Sequence, residues 1–245
     1  QIQEEPILWR DQPEETTRNK IESRFLRLCQ QYNNLENWLN EQKGSSLPQI
    51  ESFRGTPSYG WVEAQAFNLR HQMDLGDYPA HGLLVALEEK YNIKIFHLEF
   101  EPSGTAACSK SRDYGNAVLL NKNNVRWRRN FDLAHEIFHL AGWHIFRNQD
   151  DGLNYQIDWI DEEKLANVFA SNLLVPSDSL KEAIERKRID GKLDYPSLFD
   201  IAREFGVSVE ALIWRMVNLK IVEEGDAEMI TARVRDLACI YEERE

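Results

Sequence analysis

The sequence predicts an α+β protein in which a small β-sheet is packed by helices. Two observations carry that reading. Through most of the chain apolar residues recur three and four positions apart, the period of a helix with one buried face. Between residues 92 and 121 the pattern changes to short apolar runs that alternate with polar residues or close on Asn and Gly, which is how strands read. A chain of 245 residues can bury one large core or two modest ones. Its 42% hydrophobic and 29% charged residues are ordinary for a globular protein.

From the N-terminus, residues 14–42 place Ile21, Phe25, Leu28, Cys29 and Tyr32 in one apolar stripe on a charged helix. The stretches "KGSSLPQ" (43–49) and "RGTPSYG" (54–60) concentrate Gly, Ser and Pro, so residues 1–59 read as a helical linker or extension. Packing of its helix on the adjoining domain is the equal alternative. That domain, over 60–224, opens with helical patterns at 61–75 and 80–91. Strands are expected in "NIKIFHLEF" (92–100), "GTAACSKSR" (104–112) and "GNAVLLN" (115–121). From residue 130 the chain reads as helical: 161–176 stopped by Pro176, "SLKEAIERKR", and a helix, Gly-centred turn and helix over 197–222. Residues 225–245 form a C-terminal helix.

Charge and cysteine content narrow the function. With 29 Lys+Arg against 41 Asp+Glu the net charge is −12, which repels phosphate backbones unless basic residues cluster. Nucleic acid is therefore not the expected direct partner. No apolar stretch nears the ~20 residues of a membrane span, and no secretory signal is visible. Three scattered cysteines, Cys29, Cys108 and Cys239, do not make a disulfide framework and fit a reducing cytoplasm. The chain opens on Gln1, which suggests a fragment or processed form.

Half of the six histidines lie in "NFDLAHEIFHLAGWH", residues 130–144. His135-Glu136-Ile137-Phe138-His139 is an H-E-x-x-H sequence. On a helix, positions i and i+4 share a face, so both imidazoles can reach one metal ion, with Glu136 beside it as general base. Chance matches to so short a pattern occur. Here, however, the flanks are apolar, and two buried histidines without a metal would need other polar partners.

A zinc site for hydrolysis needs a third protein ligand and an open position. The metzincin pattern would put a third histidine at 145, but that residue is Ile, and His144 is one place early. One residue turns a helical side chain by about 100°. No Met lies between Met73 and Met216 to form a Met-turn either. The third ligand is then an acid on a neighbouring helix, where "DEEKLANVFASNLLVP" offers Asp161, Glu162 and Glu163. Glu163 has the best claim, because Ala166, Asn167 and Ala170 share its face and are small enough for close helix approach. The ordinary alternative is that first-turn acids simply favour the helix dipole.

"RRNFDLAHEIFHL" followed by "EKLANVFASNLLVP" resembles the ImmA/IrrE family of zinc metallopeptidases, over roughly residues 60–222. The resemblance implies a zincin-like fold, Zn²⁺ held by His135, His139 and Glu163, and Glu136 as general base. It further implies intracellular, narrowly specific cleavage of a helix-turn-helix repressor encoded nearby, as in stress, phage-defence or mobile-element regulation. Several members carry a DNA-binding helix-turn-helix before the protease, and the charged helix 14–42 looks like the linker after one. Here "IF" fills the middle of the motif where the family often has a small residue.

Several residues carry further expectations. Cys108, in a polar stretch expected to be exposed, is a candidate inhibitory fourth zinc ligand; the alternative is a small strand residue. Cys29 and Cys239 read as helix core. The run Asn116, Ala117, Val118, Leu119, Leu120 is the candidate edge strand for extended substrate, although an interior strand fits its apolar character equally. His144, Tyr155 and the Arg126–Arg129 cluster are candidates for the pocket or for transition-state contacts. The rival function is a zinc-containing DNA-binding regulator or sensor, in which the second helix of 197–222 would present Arg215, Asn218 and Lys220 to bases. Its largely apolar face and the acidic charge argue for a structural role instead.

Overall fold

The computed structural model describes residues 7–40, 44–53, 55–101, 106–147 and 159–242. Its sheet has four strands: β1 (Ile7–Trp9), β2 (Lys94–Leu98), β3 (Ala106–Ser111) and β4 (Gly115–Asn121), in the order β1-β3-β4-β2. β3 and β4 form a hairpin, β2 runs parallel to β4, and β1 pairs antiparallel with β3, Leu8 opposite Cys108. The arrangement is α+β, with helices on both faces of a mixed sheet.

β4 is therefore an interior strand, and the edge role expected for Asn116–Leu120 does not hold. Ala117, Val118, Leu119 and Leu120 are all buried, and the two faces meet different clusters. A strand covered on both faces needs apolar residues at every position, which is why "AVLL" shows no alternation. The open edges belong to β1 and β2.

On one face lies helix α1 (Glu15–Leu39), which buries Ile21, Phe25 and Cys29. These join Trp9, Leu98, Phe100, Ala107, Ala117 and Leu119 in one cluster. β1 is an addition to the strands expected, in a segment that reads as helical. Three residues, "ILW", are too few to show a period, and their partner lies about a hundred positions away in β3. Strand and helix together tie residues 7–29 to the same sheet as the rest of the chain.

The other face carries the larger core. Helix α2 (Tyr59–Met73) is capped by the Ser58 hydroxyl, which accepts from the Trp61 amide. The third expected helix is irregular: a 3₁₀ turn (Pro79–His81), a short α3 (Leu83–Val85) and a π-turn (Ala86–Lys90). Helix α4 (Arg126–Ala141) lies on β3 and β4 and is followed by the single turn α5 (Trp143–Phe146). α6 (Trp159–Leu174) packs against both α2 and α4. Pro176 separates it from α7 (Ser177–Lys187). α8 (Tyr195–Phe205) ends at Gly206, whose φ of 63° closes the helix in the left-handed region. α9 (Val209–Asn218) and α10 (Glu224–Glu242) complete the fold.

Candidate metal centre

Helix α4 is buried from Asp132 to Ala141, ten consecutive residues, so the two histidines of H-E-x-x-H project inside the protein. Leu133, Ala134, Ile137 and Phe138 fix the helix in the core, and Phe138 packs on Phe169 of α6 with ring centroids 5.4 Å apart. Ala166 and Ala170, both fully buried, let α6 come close to α4. Gly142 ends α4 where a Cβ would stand 2.9 Å from Ile50 Cδ1 and 2.8 Å from Phe146 Cε2. A glycine here spares Ile50 and Phe146 from having to shift.

The close approach brings three ligand-type atoms to one point. His135 Nε2 and His139 Nε2 are 3.2 Å apart. Glu163 Oε2 lies 3.2 Å from His135 Nε2, and Glu163 Oε1 lies 3.1 Å from His139 Nε2. Ligands about 2.0–2.1 Å from a tetrahedral zinc sit about 3.3 Å from one another. Among the described residues His135, His139 and Glu163 are the group of His, Cys, Asp and Glu that could hold a metal ion.

Each ring is aimed by its other nitrogen. His135 Nδ1 donates to Asn167 Oδ1 at 3.2 Å, and His139 Nδ1 donates to Glu162 Oε1 at 2.8 Å. Both Nε2 atoms are thereby left to face the centre, the arrangement that orients metal-binding histidines. Arg147, at the end of α5, grips Glu162 with two bonds of 2.9 Å. Arg10, just beyond β1, donates to Asn167 Oδ1 at 3.1 Å and to Asp132 Oδ1 at 2.5 Å. Asp132 also accepts from Asn124 and Arg128. Burial raises its pKa against the opposing pull of Arg10 and Arg128.

The electrostatics suit such a site. Burial lowers the pKa of His135 to about 4, so it is neutral and free to bind a cation. Burial pulls His139 down too, but its bonds to Glu162 and Glu163 outweigh this and raise it to about 9. Glu163 is raised by burial, yet the two imidazoles hold it at about 2. Glu136 is fully buried and burial lifts it to about 7. Its one polar neighbour is the Cys108 thiol, a weak donor, and no stronger hydrogen-bond donor reaches either carboxylate oxygen among the described residues. A buried carboxylate with so weak a partner costs stability, and such perturbed groups cluster at functional sites.

Cys108 is buried rather than exposed and stands outside the metal-type group. The strand places it against Glu136, and its thiol is pushed well up, first by burial and then by that carboxylate. The exposure expected for it does not hold, and it lies beside Glu136 without joining the His135/His139/Glu163 group. Its polar sequence neighbours mislead: Ser109 and Ser111 alternate onto the other face of β3, and Lys110 shares its face only towards the end of the strand. His144 is half-buried on α5, outside the His135/His139/Glu163 group. Tyr155 lies outside the described residues. Of the arginine cluster, Arg128 binds Asp132, and Arg129 is held by the carbonyls of Lys122 and Asn124.

The supporting roles of Arg10, Asp132, Glu162 and Arg147 emerge only from the structure. In the sequence Glu162 is a candidate ligand and nothing more. Its neighbour Glu163 faces the metal-type centre, while Glu162 turns to the back of His139. Asp132, three residues before His135 on the same helix, is the one readable signal: an acid within an apolar stretch needs a partner.

Comparison with known proteins places part of the chain in a family. The family model Peptidase_M78, described as the IrrE N-terminal-like domain, matches residues 88–216, just over half of the chain. No curated protein matches the chain significantly. Among solved structures, a Mycobacterium tuberculosis transcriptional regulator is similar at 19% identity and a TM-score of 0.45, over 64% of this chain and 46% of that one. The chain thus spans less than half of that protein's length. With a zincin-like α+β fold and the paired motifs on α4 and α6, the chain belongs to the Peptidase_M78 family of IrrE-type peptidases.

Proposed function

We propose that the chain is a zinc-dependent endopeptidase of narrow specificity, working in the cytoplasm, that cleaves a helix-turn-helix repressor encoded nearby. The observation that carries the reading is the convergence of His135, His139 and Glu163 beside the fully buried Glu136. Two imidazoles and one carboxylate are a donor set that suits zinc and leaves a fourth position for substrate or water. Zinc in that place supplies Lewis acidity toward water and a peptide carbonyl. Glu136, with a pKa of about 7, accepts a proton from attacking water and returns it to the leaving amine near neutral pH. Asn167 and Glu162 hold the imidazoles in one tautomer and orientation. A protein substrate follows from the peptidase family. Among the described residues no helix is long and apolar enough to cross a membrane.

The rival reading, a DNA-binding regulator, has less support. Its recognition helix would be α9, yet Arg215 there is 4% exposed and donates to the Val175 carbonyl at 3.0 Å. Leu212, Ile213 and Met216 are buried beside it, so α9 serves the core. Co-expression of the neighbouring repressor with the wild type and with Glu136→Gln decides between the two. A metal-dependent cleaved band lost in the variant is expected; equal repressor integrity with an equal effect on DNA binding would sink the peptidase reading.

A further inference from the structure

A cavity of about 540 Å³ lies between the first turns of α4, the α8–α9 turn and α10. Its volume falls in the range of small-molecule sites, about 300–1,000 Å³. From Asn130, which lines it, His135 and His139 are about 140° and 180° further round the helix at about 100° per residue. The cavity therefore faces away from the metal-type centre and is not the substrate cleft.

Its lining has two chemistries. The walls are apolar: Phe199, Ala202, Val207, Val209 and Val234, with Trp127 at the mouth, 41% exposed. The charges are Arg126, Arg203 and Arg235 against the single acid Glu210, a net positive patch on a chain of net charge −12. Arg235 is bound to Glu210 at 2.8 Å, and Arg203 lies 3.5 Å from Asp200. Arg126 has no acidic partner among the described residues. Inside the cavity, Thr231 is 6% exposed, and its Oγ1 has no hydrogen-bond partner among the described residues. A buried hydroxyl left unpaired costs stability, and a ligand acceptor or donor would satisfy it. The lining is tied to α4 directly: Asn130 Nδ2 donates to the Gly206 carbonyl at 2.8 Å, and a Cβ at Gly206 would stand 2.9 Å from that nitrogen.

We infer that this cavity binds a small amphipathic anion, a flat apolar body carrying a carboxylate, sulfonate or phosphate, as an effector of the protein. The apolar walls and Trp127 take the body, Arg126 takes the anionic group, and Thr231 takes a polar atom at depth. Because α4 carries both the cavity's Asn130 and the imidazoles of His135 and His139, occupancy bears on the metal-type centre through one rigid helix. The binding claim stands apart from the peptidase reading and does not need catalysis.

The test uses the whole chain with 1-anilinonaphthalene-8-sulfonate as the anionic probe and N-phenyl-1-naphthylamine as its neutral counterpart. The sulfonate is expected to saturate one site and to protect amides of residues 126–130 and 231–235 from hydrogen exchange. Arg126→Glu should weaken the sulfonate about tenfold and leave the neutral probe within twofold; Thr231→Val should weaken both about threefold without changing the circular dichroism. Protection confined to other surfaces, such as the exposed Trp38 and Leu39 of α1, or sulfonate affinity unchanged in both variants, would overturn the binding site. For the effector role, saturating sulfonate should shift zinc affinity in chelator competition at least threefold in the wild type and not in Arg126→Glu. Binding without that shift would overturn the effector role.

Discussion

Arg10 Nη1 and Asp132 Oδ1 lie 2.5 Å apart, joining the residue after the N-terminal strand to the turn of α4 that precedes His135. Asp132 is fully buried and Arg10 only 12% exposed. Breaking such a pair leaves an uncompensated buried charge, typically at a cost of about 3–5 kcal/mol. Arg128 remains beside Asp132 and softens the loss. Arg10→Ala is therefore expected to lose about 2–3 kcal/mol in urea unfolding of metal-free protein. A loss under 0.5 kcal/mol would show that the N-terminal strand is not tied to the site.

Asn167 sits between Arg10 and His135, accepting from both. Removing the acceptor behind a metal-binding histidine commonly costs about 10–100-fold in affinity. Asn167→Ala should bind zinc about tenfold more weakly in chelator competition while keeping the wild-type circular dichroism. Asn167→Asp, which keeps an acceptor, should retain more of the affinity; equal zinc affinity in all three proteins would contradict the orienting role.

The proton on His139 makes zinc uptake pH-dependent. Its folded pKa of about 9 lies above the ordinary 6.5, so in metal-free protein its bonds to Glu162 and Glu163 contribute stability below about pH 6.5. That contribution is lost as pH rises through about 9. Metal must displace this proton, so zinc affinity should rise about tenfold per pH unit from about pH 7 to 9, then level. Calorimetry in buffers of different ionisation enthalpy should show proton release near pH 7; no release would mean that His139 is already neutral.

Glu136 has the opposite effect. Burial raises it from 4.5 to about 7, so the metal-free fold carries no penalty below about pH 4.5 and the full one above about pH 7. A shift of that size corresponds to about 3 kcal/mol. Glu136→Gln should thus abolish cleavage yet stabilise metal-free protein by about 2–3 kcal/mol at pH 8, with a much smaller gain at pH 5. Thermal unfolding at the two pH values separates this from a pH-independent gain of packing.

Cys108 is buried beside Glu136 with its thiol pushed well up, so it is a poor nucleophile in the native protein. Cys108→Ala should leave both the zinc stoichiometry and the number of thiols that react rapidly with Ellman's reagent unchanged. One fewer fast-reacting thiol would contradict the burial.

Spacing alone determined the His135–Glu136–His139 half of this candidate site. An i, i+4 pair of histidines with a glutamate between them needs only a helix to share a face, and local apolar flanks specify that helix. The acid on α6 was legible for a similar reason, since Glu163 shares a helical face with Ala166, Asn167 and Ala170. The fold class came from the change of period near residue 92. Only tertiary structure decided that the adjacent Glu162 turns to the back of His139 and is held there by Arg147. The same holds for β1, a three-residue strand whose pairing with β3 spans about a hundred positions, and for the burial of Cys108 and the interior place of β4. Arg10 reaches His135 through Asn167 only because that strand is added to the sheet. Local periodicity reports which face of an element is apolar; which neighbour covers that face is a long-range fact, and here it supplied the residues that aim the metal-type ligands.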